Sequence, residues 1–257
     1  MLKKMITSVL VGSLLATIST LASAQETLRI AVEGAYPPFN MQDADGTLKG
    51  FDVDISKALC DEMKVQCVIV AQDWDGMIPG LLTKKYDAIV SSMSITEPRK
   101  KVIAFSRSYY ITNGVVVKRK DNKDIAGNSP AELKGQVIAG QSASIYSALL
   151  ESQYAGSTVK LYATADEAFA DLSAGRVAVV FADKIAALQW LDHSSKNCCE
   201  LTGPDISDPK IIGEGAGIGL RKSDDALRNR FNVAIDAIVK DGTYKQINDK
   251  YFPFNVF

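Results

Sequence analysis

DAIVSSMSITEPR, residues 87–99, runs from a short apolar strand into three serines and then an arginine. The serine hydroxyls and the turning backbone offer several hydrogen-bonding groups, and Arg99 offers a permanent cation with a planar fork of donors. At the end of a strand this combination suits a small ligand with a carboxylate, which arginine can bind in a bidentate manner. A polar loop before a helix has the same composition, so the surrounding chain has to decide between the two interpretations.

Strand-like and helix-like segments alternate on both sides of this stretch. Their periodicity predicts strands at 28–32, 67–71 and 88–90 and helices at 52–64 and 77–84. This alternation indicates an α/β fold with a mainly parallel sheet and helices on both of its faces. Ligands of such sheets bind beyond the carboxyl ends of the strands. Glu33, Trp74 and Ser91 each follow a predicted strand, so we expect them on one rim.

The second half of the chain repeats this pattern, with strands predicted at 136–139 and 177–181 and helices at 145–152 and 184–191. Ser142 or Ser144 could cap the helix at 145, which would leave backbone N–H groups at its start for an anion. Asp183 stands just beyond the strand at 177–181. It could cap the next helix or face a ligand, and the sequence leaves both interpretations open.

The first 24 residues have the features of a secretory signal peptide. Lys3 and Lys4 precede an apolar segment at 5–15, and Ala22-Ser-Ala24 forms a small-residue cleavage site. Removing 24 of the 257 residues leaves 233, enough for one large or two small domains. The removed segment carries two lysines and no acid, so the net charge changes from −1 to −3. That balance suggests neither nucleic acid nor a membrane surface as a partner.

The four cysteines of an exported chain indicate disulfides first. Bridging Cys60 and Cys67 would contribute about 2.5 kcal/mol by loop entropy. The adjacent Cys198 and Cys199 could form a strained ring, remain free or pair elsewhere. With His193 as the single histidine and no further ligand cluster, we predict no metal and no cofactor, and a Ser-His-Asp hydrolase is disfavoured.

Six motifs occur in an order that resembles the periplasmic amino-acid-binding proteins of bacterial ABC importers, solute-binding protein family 3. Within that family the chain is most similar to the branch that binds lysine, arginine, ornithine or histidine, and the resemblance includes the cysteine pair at 60 and 67. The motifs are Ala35-Tyr-Pro-Pro-Phe39, Gly50-Phe-Asp-Val-Asp54, Ser91-Ser-Met-Ser-Ile-Thr96 with Arg99, Asp171-Leu-Ser-Ala-Gly-Arg176, Gly217-Ile-Gly-Leu-Arg-Lys222 and Asp241-Gly-Thr-Tyr244.

The resemblance implies two lobes with a ligand in the cleft between them. Lobe 1 would comprise residues 25–112 and 214–257, and lobe 2 residues 113–213. Two extended crossings, near 111–113 and 212–213, would form a hinge that closes around the ligand. The implied protein is a periplasmic monomer of a Gram-negative bacterium that delivers its ligand to an inner-membrane ABC permease.

The resemblance also assigns roles within the cleft. Arg99 would bind the α-carboxylate of the ligand, with Ser94 and the backbone near Ser144 assisting. Asp183 would accept the α-ammonium group, with Ser92 as a further partner. The remaining contacts would come from Tyr36 and Trp74 around the aliphatic stem and from Ser91 at the distal group.

Glu33 would set specificity, because an acidic residue there faces the cationic end of the ligand in this branch. A neutral ligand would leave a buried carboxylate unpaired, which is costly. Ala143 and Ile145 stand where close relatives often have polar residues, so lobe 2 should make fewer side-chain contacts. That loss would fit an opine that contains an arginine unit as the alternative ligand. We expect a simple cationic amino acid instead, namely arginine, ornithine or lysine, with histidine as a further candidate.

Two further classes of protein share this scaffold. One is a periplasmic dehydratase that acts on cyclic, prephenate-like acids, which would need a general acid or base beside the substrate ring. Glu33 and Asp183 already have roles toward ligand charges, so we expect a binding protein and not an enzyme. A sensor for chemotaxis or signalling would use the same site, and the sequence does not separate it from a transport receptor.

Overall fold

The computed structural model describes residues 26–257, and the expected signal peptide at 1–24 lies outside them. The strands are β1 Thr27–Val32, β2 Ala35–Tyr36, β3 Asn40–Gln42, β4 Leu48–Lys49, β5 Gln66–Ala71, β6 Ala88–Ile89, β7 Ala104–Tyr110, β8 Gly114–Arg119, β9 Val137–Gln141, β10 Thr158–Tyr162, β11 Val179–Asp183, β12 Cys199–Ile206 and β13 Ala216–Leu220. The helices are α1 Phe51–Met63, α2 Met77–Leu82, α3 Glu97–Lys100, α4 Ile145–Gln153, α5 Ala165–Ser173, α6 Lys184–His193, α7 Pro209–Ile212, α8 Asp225–Lys240 and α9 Thr243–Tyr251.

Two five-stranded sheets organise the chain into two lobes. The sheet of lobe 1 has the order β5-β1-β6-β13-β7, and that of lobe 2 has the order β10-β9-β11-β8-β12. In lobe 1, β5, β1 and β6 are parallel, and β13 runs antiparallel to its neighbours β6 and β7. In lobe 2, β10, β9 and β11 are parallel, and β8 runs antiparallel to β11 and β12. The expected α/β class with mainly parallel sheets is confirmed, and the structure adds one reversed strand to each sheet.

Helix α1 shows why the local sequence folds as it does. Gly50, before its first residue, has φ 123°, and a Cβ at this position would lie 2.4 Å from the carbonyl oxygen of Phe39, so only glycine fits. Ile55 and Leu59, one helical turn apart, are fully buried against the sheet. Lys64 ends the helix in the left-handed conformation, and its N–H bonds to the last turn.

Apolar clusters on both faces of each sheet form the core. In lobe 1, α1, α8 and α9 cover one face, and α2 covers the other with Met77 and Leu81. In lobe 2, α5 and α6 cover one face, and α4 covers the other with Leu149 and Leu150. Because all these helices pack on the faces of the sheets, the carboxyl ends of the parallel strands stay free to form a cleft.

Two strands of lobe 2 end later than the sequence pattern predicts. Strand β9 continues beyond Ala139 to Gln141, because its parallel pairing with β10 extends to that residue. Strand β11 begins at Val179 and continues to Asp183, which pairs with Gly114 of β8. Gln141 and Asp183 therefore both stand at the carboxyl ends of parallel strands.

The chain passes between the two sheets twice. Residues 111–113, which were expected to be extended, connect β7 to β8 and belong to no strand or helix. The second connection was expected to be extended at 212–213, which is wrong for Ile212, because the short helix α7 precedes Gly213. Asp208 caps this helix through the N–H of Lys210 at 2.9 Å, and Pro209 occupies the first helical position, where proline is favoured. The lobe boundaries expected at 112/113 and 213/214 stay predictions.

Both cysteine pairs are disulfide-bonded in the structure. The expected bridge between Cys60 and Cys67 joins the end of α1 to β5. Cys198 and Cys199, for which the sequence left three possibilities open, bridge each other directly at the start of β12. In the part of the chain that the structure describes, no helix has the length and apolar character needed to cross a membrane.

Candidate ligand-binding site

A cavity lies between the two lobes where the strands of both sheets end. All nine residues that the sequence singled out for ligand binding line it: Glu33, Tyr36, Trp74, Ser91, Ser92, Ser94, Arg99, Ser144 and Asp183. The other lining residues are Tyr110, Thr112, Gln141, Ile145, Tyr146, Ile212, Gly215 and Ala216. The structure thus brings the nominated residues together, and their roles toward a ligand stay predictions.

Arg99 lies on the short helix α3, whose cap Thr96 accepts a hydrogen bond from the Arg99 N–H at 3.4 Å. Its guanidinium donates from Nη1 to the carbonyl of Ser94 at 3.0 Å and from Nη2 to the carbonyl of Ala143 at 3.2 Å. These bonds use two of its five N–H groups. Burial lowers the pKa of Arg99 to about 10, so the side chain remains a cation at neutral pH. It is positioned to bind a carboxylate.

Two aromatic side chains line the cavity beside this cation. The guanidinium of Arg99 lies 5.3 Å from the ring centroid of Trp74, a cation–π geometry that fixes both groups. Tyr36 stacks on Phe39 at a centroid distance of 5.8 Å. Tyr36 and Trp74 are only half-buried and therefore still present surface to the cavity. They provide apolar surface for an aliphatic chain.

The serine segment after β6 rests on a buried carboxylate that the sequence did not single out. Asp52, in the first turn of α1, is fully buried and accepts hydrogen bonds from Asn40 at 2.7 Å, Ser92 at 2.9 Å and Tyr109 at 2.7 Å. Burial raises the pKa of Asp52 to about 6, against the three donors, which lower it. Ser92 has φ 54°, an uncommon conformation for serine, and Asp52 holds it there.

Asp183 both caps a helix and lines the cavity, the two possibilities that the sequence left open. Its Oδ1 caps α6 by accepting the N–H of Ile185 at 2.8 Å and that of Ala186 at 3.2 Å, and its carboxyl group also lines the cavity. Burial raises the pKa of Asp183 to about 7, although both backbone donors lower it. Burial raises the pKa of Tyr36, and the negative charge of Asp183 raises it as well. A cation bound nearby would favour the ionised form of this carboxyl group.

Glu33 follows β1 and is 92 % removed from solvent, with a relative exposure of 8 %. Its backbone N–H donates to Oγ of Ser91 at 2.8 Å, which orients the serine hydroxyl that was expected to meet a ligand. The pKa of Glu33 is raised to about 7, chiefly by burial and to a lesser extent by the nearby carboxylates of Asp166, Asp73 and Asp75, whereas a hydrogen bond from Gln141 lowers it. The carboxyl groups gathered around Glu33 would favour a cation in this part of the cavity.

One segment of lobe 2 contacts lobe 1 directly across the cavity. Gln141 donates from Nε2 to Oε1 of Glu33 at 2.6 Å. The hydroxyl of Ser142 donates to Oδ1 of Asp75 at 2.8 Å. The carbonyl of Ala143 is the one that accepts from Arg99. Three consecutive residues therefore join the lobes on the rim of the cavity.

Ser144 follows this segment and is the cap of α4. Its Oγ accepts the N–H groups of Tyr146 and Ser147, both at 3.1 Å, and donates to the carbonyl of Gln141 at 2.7 Å. Of the two serines proposed as the cap, Ser144 has this function and Ser142 contacts the other lobe. The start of α4 is thereby fixed against the end of β9.

Gln141 lines the cavity and was not predicted from the sequence, although a rule already applied to Glu33 could have predicted it. It stands at the carboxyl end of a parallel strand, as Glu33 does, and the rule that identified Glu33 applies to it equally. The expected strand stopped two residues too early, which placed Gln141 in a loop. Tyr110 and Gly215 have no comparable signal, because only the crossing of the chain between the lobes brings them to the cavity.

Comparison with known proteins identifies the family of this chain. The model of the bacterial extracellular solute-binding proteins, family 3, matches residues 28–254. The chain belongs to this family. The L-arginine-binding protein of Pseudomonas aeruginosa is 44 % identical over 96 % of this chain and 97 % of its own length. The lysine/arginine/ornithine-binding periplasmic protein of Escherichia coli is 36 % identical over 97 % of this chain and 98 % of its own.

Solved structures of the family have the same two-lobed fold. An ancestral arginine-binding protein bound to arginine superimposes with a TM-score of 0.81 at 34 % identity, covering 89 % of this chain and 99 % of the other. The resemblance inferred from the six sequence motifs is therefore confirmed at the level of the family.

Proposed function

We propose that this family 3 solute-binding protein is a periplasmic receptor that captures a cationic L-amino acid and delivers it to an ABC permease. The observation that carries this proposal is the charge balance of the cavity. Its charged lining residues are Glu33, Arg99 and Asp183, which sum to one negative charge. Arginine, lysine and ornithine each carry one net positive charge, so each would pair every buried charge of the cavity.

Other ligand classes leave a charge without a partner. A neutral amino acid satisfies Arg99 and Asp183 through its own carboxylate and ammonium groups and leaves Glu33 ionised without a cation, or protonated. Either state costs free energy in a buried site. An arginine-derived opine brings a second carboxylate, for which Arg99 would be the single cation among the lining residues. The charge balance thus favours simple cationic amino acids over opines.

The same assignment argues for binding without chemical change. Glu33 and Asp183 are the carboxylates of the cavity, and both are used by the ligand's positive groups. His193 is exposed at the end of α6 and does not line the cavity, so it offers no general base there. The named relatives are likewise binding proteins.

Capture would couple to closure of the two lobes. Lobe 1 provides Arg99 and Glu33, and lobe 2 provides Asp183, so a ligand completes its contacts only when the lobes meet. The two connections at 111–113 and 212–213 would act as the hinge. A permease can then distinguish loaded from empty receptor by the closed shape.

Isothermal titration calorimetry tests the proposal. Refolded, ligand-stripped protein is titrated with arginine, lysine, ornithine, histidine, glutamine and an arginine-derived opine at pH 8. We expect tight binding of the cationic set and weak or undetectable binding of glutamine and the opine, with each bound amino acid recovered unchanged. Preference for glutamine or the opine would overturn the charge argument, and recovery of an altered compound would overturn the receptor assignment.

A matched variant isolates the role of Glu33. Glu33→Gln keeps the shape of the side chain and removes its charge, so it should weaken arginine binding far more than glutamine binding. An equal loss for both ligands would show that Glu33 acts through packing and not through charge.

A further inference from the structure

Gln141 has a hydrogen-bonding arrangement that defines what it can offer to a ligand. Its Nε2 donates to Oε1 of Glu33 at 2.6 Å and to the carbonyl of Ala163 at 3.1 Å. Both partners are acceptors, so the amide nitrogen has to face them. An amide NH₂ group has two hydrogens, and these two bonds use both. The group that Gln141 still has available is its amide oxygen.

Burial and backbone contacts hold Gln141 in place. Gln141 is buried, with a relative exposure of 8 %, and it lines the cavity. Its backbone is held at the end of β9 by the pairing with Tyr162 and by the hydroxyl of Ser144 on its carbonyl. The bond from Nε2 to Oε1 of Glu33 brings the two side chains together from opposite lobes, and the amide oxygen of Gln141 and the second carboxylate oxygen of Glu33 accept no hydrogen bond from the residues that the structure describes.

We propose that Gln141 is a specificity-determining residue that pairs with Glu33 to favour a guanidinium group over an ammonium group at the distal end of the ligand. This inference rests on the proposed function, because it refines which cationic amino acid the same cavity prefers. Gln141 fixes one oxygen of Glu33 and adds a second acceptor beside the other.

The chemistry of the two cations supports this choice. A guanidinium is planar, presents several N–H groups along one edge and is less strongly hydrated than an ammonium. It can engage two neighbouring acceptors at once while its flat face lies on an aromatic ring, and Tyr36 and Trp74 line the same cavity. An ammonium is a compact point charge that loses more hydration when it enters a site with few acceptors.

Gln141 also affects the protonation of Glu33. The donor from Gln141 stabilises the ionised form of Glu33, whereas burial and the carboxylates of Asp166, Asp73 and Asp75 disfavour it. Replacing Gln141 by an apolar residue therefore raises the pKa of Glu33 above its present value of about 7. The higher pKa of Glu33 weakens the binding of every cationic ligand, whereas loss of the amide oxygen weakens the binding of a guanidinium group most.

The test compares Gln141→Met with the wild-type protein in titrations against arginine and lysine. Methionine preserves the length of the side chain and removes both hydrogen-bonding groups. We expect the ratio of the lysine to the arginine dissociation constant to fall by about tenfold, as the loss of one hydrogen bond to a charged group predicts. We also expect the midpoint of the pH dependence of arginine binding to move upward.

Two further variants serve as controls. Gln153→Met makes the same replacement at an exposed position at the end of α4, outside the cavity lining, and should change neither ratio nor midpoint. Gln141→Ser removes the amide in a smaller side chain and gives the same test if the methionine variant does not fold.

The outcomes separate this inference from the proposed function. If the wild-type protein binds arginine and lysine but Gln141→Met weakens both equally, Gln141 is not a specificity residue and the receptor assignment stands. An unchanged arginine affinity leads to the same conclusion. If the wild-type protein binds no cationic amino acid, the proposed function fails and this inference fails with it.

Discussion

The affinity for a cationic amino acid should rise steeply as the pH increases through neutrality. Burial raises the pKa of Glu33 and that of Asp183 to about 7 each in the ligand-free site. A cation beside either carboxyl group stabilises its ionised form, so binding lowers both pKa values and releases protons. The ligand therefore binds best above pH 7, where both carboxyl groups are already ionised, and competes with protons below it.

The size of the effect follows from the two pKa values. A carboxyl group with a pKa of 7 is about nine-tenths ionised at pH 8 and about one-tenth ionised at pH 6, so each group weakens binding roughly tenfold between these pH values. If Glu33 and Asp183 act independently, the dissociation constant for arginine rises about 100-fold. With Glu33→Gln, one titrating group is lost and the rise falls to about tenfold.

Calorimetry measures both quantities. Arginine is titrated at pH 6, 7 and 8 in two buffers that differ in ionisation enthalpy, and the difference in apparent enthalpy counts the protons released. We expect release to approach about two protons at pH 6 and to fall toward zero at pH 8. Dissociation constants that agree within about twofold across this range, with no dependence on buffer, would refute the assignment of raised pKa values and cation contacts to these groups.

Three substitutions extend the reasoning to other parts of the site. Arg99→Ala should weaken every amino acid ligand by at least about 100-fold in calorimetry, because it leaves the carboxylate without its cation; retained affinity would remove Arg99 from the site. Folding raises the pKa of Glu33, so this carboxyl group destabilises the folded protein once the pH rises above its pKa in the unfolded chain. Glu33→Gln should therefore stabilise the ligand-free protein by roughly 3 kcal/mol at pH 8 and have little effect at pH 4. Urea unfolding at both pH values checks this, and equal effects at both would contradict it. Asp52→Asn should lower the free energy of unfolding in urea by about 2 kcal/mol and weaken arginine binding, because one of the three donors loses its acceptor. The substitution Asp61→Asn, at an exposed position of the same helix, is the control. Unchanged arginine binding in Asp52→Asn would show that Asp52 does not position Ser92.

Local patterns predicted the parts of the site that depend on strand ends. Glu33, Trp74 and Ser91 follow parallel strands, and such strands end on the same edge of a sheet, so their convergence follows from periodicity alone. For Asp183 the pattern gave two alternatives, and in the structure one carboxyl group both caps α6 and lines the cavity. One side chain can both cap a helix and line a cavity when the helix starts directly at the end of a strand.

Contacts between distant segments could not be predicted in this way. The bond from Gln141 to Glu33 depends on how the two lobes meet, and no local pattern contains that information. Asp52 looks like an ordinary first-turn acid of a surface helix, where negative charge is favoured. Its burial arises because Asn40, Ser92 and Tyr109 come from three other segments to surround it.

The order of strands in lobe 1 has a consequence for the order in which the two lobes can fold. Strand β13, residues 216–220, lies between β6 and β7, so the lobe that begins first along the chain needs one of the last strands to complete its sheet. Lobe 2 draws its five strands from the continuous stretch 114–206. When the chain emerges with its amino end first, as in synthesis, lobe 2 can complete its sheet before strand β13 is available to lobe 1. The lobe that carries Arg99 and Glu33 is therefore completed last, and the cavity between the lobes can form only once nearly the entire chain is present.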